Sequence, residues 1–436
     1  MKSKIKSFMF IAIAASLAFV SCKKDDDNKP TEEETTQPAT PDSSGVSGTK
    51  TISGGNYFGT WSKGSQITVN GTIKVPAGKT LTIEEGVKIM FSDSTNEILV
   101  FGNLHCKGVA GNMVKFTVTD SRRPSSSTNF PRLWGGILFD RSAKELLMLY
   151  TQIEFTGSTL TETSASVKAG LYKAEAGQRD PAINFRNEVD GKVVIQNCIF
   201  NNIGEDCLYL EGSKAIISNN LIYAQGSDNG DAINMKAGNI ADVSYNVIYN
   251  PNQNGLKWSN SGDRSPNTDA YGYNNTIVNS GWRYPTTKGG GIWLEKNVLA
   301  HIYNTMYVNC RFGIKIDAAA TKPGVVYDYT WYYGQDKAVV DGFQITTSGV
   351  VAAAHDVNST TIGANDPKFV NYDLNTPKAN ASFNTSWNFH LQAGSPALNA
   401  GTTSFTPHFV SSGITIAGVE YKSPAPSAFI GAFGTN

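Results

Sequence analysis

The sequence predicts an all-β fold, a right-handed parallel β-helix with three short strands per coil and capping segments at its N- and C-terminal ends. Two observations carry that reading. One asparagine recurs at Asn197, Asn220, Asn246, Asn275 and Asn304, within Gln196-Asn197-Cys198-Ile199-Phe200, Asn219-Asn220-Leu221-Ile222-Tyr223 and three further copies. A second strand recurs behind it, as Asp206-Cys207-Leu208-Tyr209-Leu210, Asp231-Ala232-Ile233-Asn234-Met235 and Gly255-Leu256-Lys257-Trp258. Asparagine spacings of 23, 26, 29 and 29 residues are those of a solenoid repeat. Units this small cannot bury their apolar face alone. Stacked in parallel about 4.8 Å apart, each coil covers its neighbours, and crossovers between parallel strands run right-handed.

Taken along the chain, the first element is an address. Lys2, Lys4 and Lys6 precede a short apolar run, and Ala18-Phe19-Val20-Ser21 leads to Cys22. A basic start, a short apolar core and small residues before a cut site mark residues 1–21 as a signal peptide of the lipoprotein type. Cys22-Lys23-Lys24-Asp25-Asp26-Asp27 resembles the Lys/Asp signal that follows the lipid-bearing Cys in surface lipoproteins of some Gram-negative bacteria. The resemblance implies acyl chains on Cys22, a membrane partner through that anchor, and an outer-membrane location facing outward. Residues 22–50 are acidic and almost free of apolar side chains, which predicts a flexible tether.

Residues 51–345 are read as the β-helix and 346–436 as its C-terminal coils or cap. Strands alternate apolar with polar residues, as one buried face requires. A third strand precedes each asparagine, as in Val193-Val194-Ile195 and Ala215-Ile216-Ile217. The five asparagines are expected to form a structural ladder, each amide bonding the one above and below. Thr151 is read as an earlier, degenerate member. The 42 glycines suit many tight turns, and a charged fraction of 17%, below the usual roughly 25%, suits strands with buried inner faces.

Charge excludes some functions. Residues 51–436 carry 30 acidic and 30 basic side chains, so no basic excess points to nucleic acid. Cys106, Cys198, Cys207 and Cys310 show no zinc-type spacing and allow three disulfide pairings; reduced, buried thiols are the favoured reading.

The opening segment Pro76-Ala77-Gly78-Lys79-Thr80-Leu81-Thr82-Ile83-Glu84-Glu85-Gly86-Val87 and the closing segment Phe389-His390-Leu391-Gln392-Ala393-Gly394-Ser395-Pro396-Ala397-Leu398 resemble those of the pectin-lyase-like β-helix class. The resemblance spans about residues 65–434 and implies fold, not activity, since the class includes lyases, hydrolases and adhesins.

Two places invite chemistry. The longest loop on one edge holds Trp282, Arg283 and Tyr284, whose rings would stack on sugars and whose guanidinium would pair with a uronate; the same residues would equally pin their own loop. One coil apart, Asp206 and Asp231 occupy equivalent turn positions, with Glu205 and Asp228 beside them. Such close carboxylates repel unless one is protonated or a cation sits between. Asp206, Asp231 and Glu205 are therefore the candidate acid/base residues, and Asp206, Asp228 and Asp231 the candidate Ca²⁺ ligands, with Asp228 also a ligand-binding candidate. Equally, each Asp caps its own turn. Gly204-Glu205-Asp206-Cys207-Leu208 is similar to a polygalacturonase segment that supplies acid and base, and Arg311 and Lys315 loosely match its Arg-Ile-Lys. The Gly-His-Gly that belongs between them is absent. The expected function is glycan binding at the cell surface without catalysis, needing no cofactor; the alternative is a polysaccharide lyase or glycoside hydrolase on the acidic edge.

Overall fold

The computed structural model describes residues 43–125, 130–285, 288–317, 324–347 and 349–436. Residues 1–42, with the signal segment and Cys22, lie outside them. Thirty of the described strands form one continuous sheet wound into a coil. Three columns of parallel strands make three faces. The first runs from Thr80–Glu84 through Lys192–Gln196 and Asn239–Ser244 to Val325–Asp328. The second runs from Lys88–Phe91 through Ile199–Ile203 and Val247–Pro251 to Trp331–Tyr333. The third runs from Ile98–Val100 through Ile183–Phe185, Leu208–Leu210, Ile233–Met235, Asn254–Ser259 and Gly290–Glu295 to Ile314–Ile316. Register is strict: Leu208, Ile233, Leu256, Ile292 and Ile314 stack in one inward row, all buried.

The coil starts earlier than the composition suggests. Ser43–Val46 pairs with Thr49–Trp61, which pairs with Gln66–Val75. Residues 43–50, read as tether, belong to the solenoid, because strand pairing satisfies a polar backbone even where few side chains are apolar. The long strand Gln66–Val75 turns a corner at Gly71, whose φ is +132°. A Cβ there would lie 2.6 Å from the backbone of Gly54, so only glycine fits.

The asparagine ladder exists in a shifted register. Asn220 Nδ2 donates to Asn246 Oδ1 at 2.9 Å, and Asn246 Nδ2 donates to Asn275 Oδ1 at 3.0 Å. Asn197 and Asn304 are not members. Cys198 and Thr305 hold the ladder positions, and Thr151 and Thr330 extend the column. Asn197 and Asn304 stand one residue earlier, in a column of left-handed corners with Asn219, Tyr245 and Asn274, at φ from +47° to +58°. A second left-handed column after the second face contains Asn202, Asn250, Asn279 and Asn309. Asparagine tolerates this backbone better than other non-glycine residues. Three asparagine columns, not one, produce the repeat, and adjacent columns allow a one-residue slip in alignment.

The four cysteines are buried and free. Cys198 Sγ faces the Gln196 carbonyl at 3.3 Å, and Cys310 Sγ the Ile277 carbonyl at 3.3 Å.

Residues beyond 345 do more than finish the coil. Helix Lys337–Gly342, N-capped by Asp336 on Val339 N at 3.1 Å, buries Val339 and Val340, and Phe343 follows into the core. Val350–Val351 pairs antiparallel with Ile314–Ile316 and closes the last coil. From residue 366 the chain turns back as a strap along the outside. Phe369, Tyr372, Phe389, Leu391 and Ile430 cover Val247, Tyr249, Val278, Met306 and Val308 on the second face. Phe409, Ile414 and Ile416 cover Leu147, Val194 and Ile216 on the first. Buried Asp242 clamps the strap: its carboxylate accepts from His408 N at 3.0 Å, Phe409 N at 2.8 Å and Ser423 Oγ at 2.7 Å. Residues 366–436 are thus a lateral cover rather than further coils.

Candidate functional site

The cover leaves the third face open. Outward positions there alternate with the inward row, as strand geometry requires. They bring Asn184, Tyr209, Asn234, Lys257, Trp293 and Lys315 into one column. Two positions before the strands Leu208–Leu210 and Ile233–Met235, Asp206 and Asp231 are neighbours on consecutive coils, followed in register by Asn254 at the start of the next strand.

The two aspartates are held by their surroundings. Asp206 Oδ1 accepts from Asp231 N at 2.6 Å and Oδ2 from Asn234 Nδ2 at 2.8 Å. Asp231 Oδ1 accepts from Asn254 N at 3.1 Å and Asn254 Nδ2 at 2.6 Å; its Oδ2 lies 3.6 Å from Lys257 Nζ. Each carboxylate therefore anchors the next coil and also lines a cleft. Burial, then the Asp231 charge, pushes the Asp206 carboxyl up to about 6. Burial and Asp206 push Glu205 up to about 8, against the pull of Arg179. Glu205 Oε1 accepts from Asn229 Nδ2 at 3.0 Å.

The cleft has a volume of about 310 Å³, and Glu205, Asp206, Asp231, Asn234, Tyr209, Lys236 and Lys257 line it with Tyr172 and Arg179. Lys236 Nζ lies 5.5 Å over the Tyr209 ring. Burial and the neighbouring Lys257 lower its pKa. For Lys257, burial is outweighed by Asp231, Asp206 and Glu295, and its pKa rises. The segment 156–181 walls one end. Its Leu171, Ala165 and Tyr172 pack over Leu99 and Leu138, the third-face residues of the first coils. Glu97 holds that segment by accepting from Ser166 N at 2.7 Å and Ser166 Oγ at 2.8 Å.

Other expected site residues lie elsewhere. Asp228 does not join Asp206 and Asp231. It is ion-paired with Arg179, whose Nη2 donates to Asp228 Oδ2 at 2.8 Å and which holds the carboxyl down to about 2. The three-aspartate Ca²⁺ site is therefore not assembled, and among the described residues no group of three or more His, Cys, Asp or Glu is placed to hold a metal ion. The Trp282 loop is not a stacking platform. Trp282 Nε1 donates to Asn309 O at 2.6 Å, and Lys378 Nζ sits 4.0 Å from its ring centroid. Arg283 is buried. It donates to Asn250 Oδ1 at 2.7 Å and Asn250 O at 3.0 Å, and to the Gln225 and Gly226 carbonyls. Burial lowers its pKa to about 10. All of its donors serve the fold, because the neighbouring turns leave carbonyls that need partners. Of Trp282, Arg283 and Tyr284, Tyr284 alone is exposed, at 43%. Arg311 donates to Lys288 O and Gly289 O at 2.8 and 3.0 Å, and Lys315 lies over Trp293 at 5.1 Å, so neither reaches the cleft.

Tyr209, Asn234, Lys236 and Lys257 were not singled out from the sequence. Tyr209, Asn234 and Lys257 are the polar residues of alternating strands, and Lys236 continues the alternation one residue past Ile233–Met235, so reading the outward register across coils finds them.

No protein-family model matches the chain, and no curated protein matches it. Among solved structures, pectate lyase Pel9A aligns over 89% of this chain and 86% of that chain, at 13% identity and a TM-score of 0.32. The chain's own strand pairing makes it a parallel β-helix. Its activity rests on its own residues.

Proposed function

We propose that the chain is a surface-tethered β-helix protein whose third face binds polysaccharide. One observation carries this: the strap and the 156–181 segment cover the apolar outer faces and leave a polar cleft between Tyr209, Asn234, Lys236 and Lys257. Paired donors and acceptors beside an aromatic ring are what hydroxyl-rich ligands need. The tether and Cys22 supply the surface location in this reading; Cys22→Ala moves the protein from the membrane to the soluble fraction. The binding test is retention in native gels cast with individual polysaccharides. The wild type is slowed by at least one of them, and Lys257→Ala migrates freely in the same gel. If no polysaccharide retards the wild type, the proposal fails.

A second reading, cleavage of the bound chain, is favoured by Glu205 and Asp206, whose carboxyls titrate near neutrality in the cleft. Here Glu205 delivers a proton to a leaving oxygen and a carboxylate or lysine accepts one. New reducing or unsaturated ends, lost in Glu205→Gln with folding intact, establish it. Binding without products leaves the first reading alone.

A further inference from the structure

We propose a second ligand site, where the strap meets the second face, that takes a neutral sugar ring. This site stands independently of the third-face cleft. It is a cleft of about 590 Å³, within the roughly 300–1,000 Å³ that holds small ligands. Its floor is Ile199, Leu221 and Val247 of the second face. Two stacked ring pairs line it: Tyr223 on Phe383 at 4.4 Å, and His390 on Phe433 at 4.4 Å.

The lining contains no Asp, Glu, Lys or Arg, and burial lowers the His390 pKa, which keeps that ring uncharged at neutral pH. An ionic ligand would find no counter-charge. Polar groups are nevertheless present and uncommitted. Trp387 is half-buried, tilted against Tyr249 at 5.0 Å and edge-on to Phe383 at 5.2 Å. Its indole N–H, like the deeply buried ones of Trp61, Trp258 and Trp293, has no hydrogen-bond acceptor among the described residues, whereas those of Trp134, Trp282 and Trp331 each bond a carbonyl at 2.6–2.8 Å. The exposed Thr385 and Ser386 hydroxyls at the rim are likewise without intramolecular partners among the described residues. Flat apolar faces ringed by free donors and acceptors match a pyranose, which is apolar on its ring faces and hydroxylated at its edge. A lipid tail would leave those donors unused.

The experiment uses the full mature chain with linear neutral hexasaccharides of glucose, xylose and mannose, read by saturation-transfer NMR and tryptophan fluorescence. At least one is expected to bind. Ser386→Trp fills the cleft from an exposed position and abolishes that binding, and Trp387→Phe, which keeps the ring packing, weakens it about tenfold. Lys257→Ala, which tests the third face, leaves it unchanged. The proposal is overturned if no hexasaccharide binds, if both strap variants bind like wild type, or if a fluorescent fatty acid occupies the cleft and no sugar displaces it.

Discussion

Glu205 lies under Arg179 and beside Asp206, and its carboxyl holds a proton up to about pH 8 rather than its ordinary 4.5. The folded chain therefore keeps a proton that the unfolded chain has lost between those values, so this group's contribution to stability is full below pH 4.5 and fades as pH rises through 8. Asp206, raised to about 6, acts in the same direction over a lower window. Asp228, held near 2, acts oppositely and its contribution is lost only in acid. Melting temperature should fall from pH 5 to pH 8.5, and Glu205→Gln should flatten that fall. Parallel curves for both proteins would assign the slope to other groups. Asp231 is a different case. Asp231→Ala strips acceptors from Asn254 N and Nδ2 and leaves Lys257 without its nearest carboxylate. A loss of about 2–4 kcal/mol in urea unfolding is expected, which makes Asp206→Asn or Lys257→Ala the cleaner functional probe. At this scale the sequence makes the Asp206–Asp231 adjacency legible, because a repeat alignment places equivalent turns on consecutive coils. It does not make Arg283 legible, because its acceptors belong to turns at 225, 226 and 250 that no local pattern links to it.

The ladder and the left-handed corners are distinct elements built from one residue type, and they should respond differently to substitution. Asn246→Ala removes the partner of Asn220 N, Asn220 Nδ2 and the Ile217 carbonyl, all buried, and should cost about 3 kcal/mol or more. Asn197 has a φ of +58° and contributes its backbone, so Asn197→Gly should be nearly neutral and Asn197→Ala should cost about 1 kcal/mol. Denaturant titrations of the three variants check the order; equal losses at 197 and 246 would restore Asn197 to the ladder. The period and strand type were readable from sequence because alternation and turn residues are local. The register was not, because asparagine serves a corner and a ladder at adjacent positions, and only the pairing of Ile199 with Leu221 decides between them.

Over the whole molecule, the coil and the strap divide the work of burial. A chain ended at residue 365 would expose Val247, Tyr249, Val278, Met306, Leu147, Val194 and Ile216, an apolar area larger than a soluble monomer usually shows. It should be recovered as aggregate or as dye-binding oligomer in size-exclusion chromatography, and a soluble monomer of unchanged melting temperature would show the strap to be dispensable. The division also explains why 346–436 was hard to place from sequence. Its apolar residues are sparse and irregular because they match the outward residues of distant coils rather than a repeat of their own.

The strap has a consequence in time. Its residues are made after the coils they cover, some of them roughly two hundred residues later, since Phe409 reaches Val194 and Asp242 holds His408. A growing chain can wind coil upon coil in order of synthesis, but two flanks of that winding stay bare until the strap arrives. Every premature stop yields a nascent solenoid with its greasy sides showing, the kind of species that chaperones retain and proteases clear. Synthesis of residues 366–436 is thus a checkpoint, which the finished fold carries as a seam down its side.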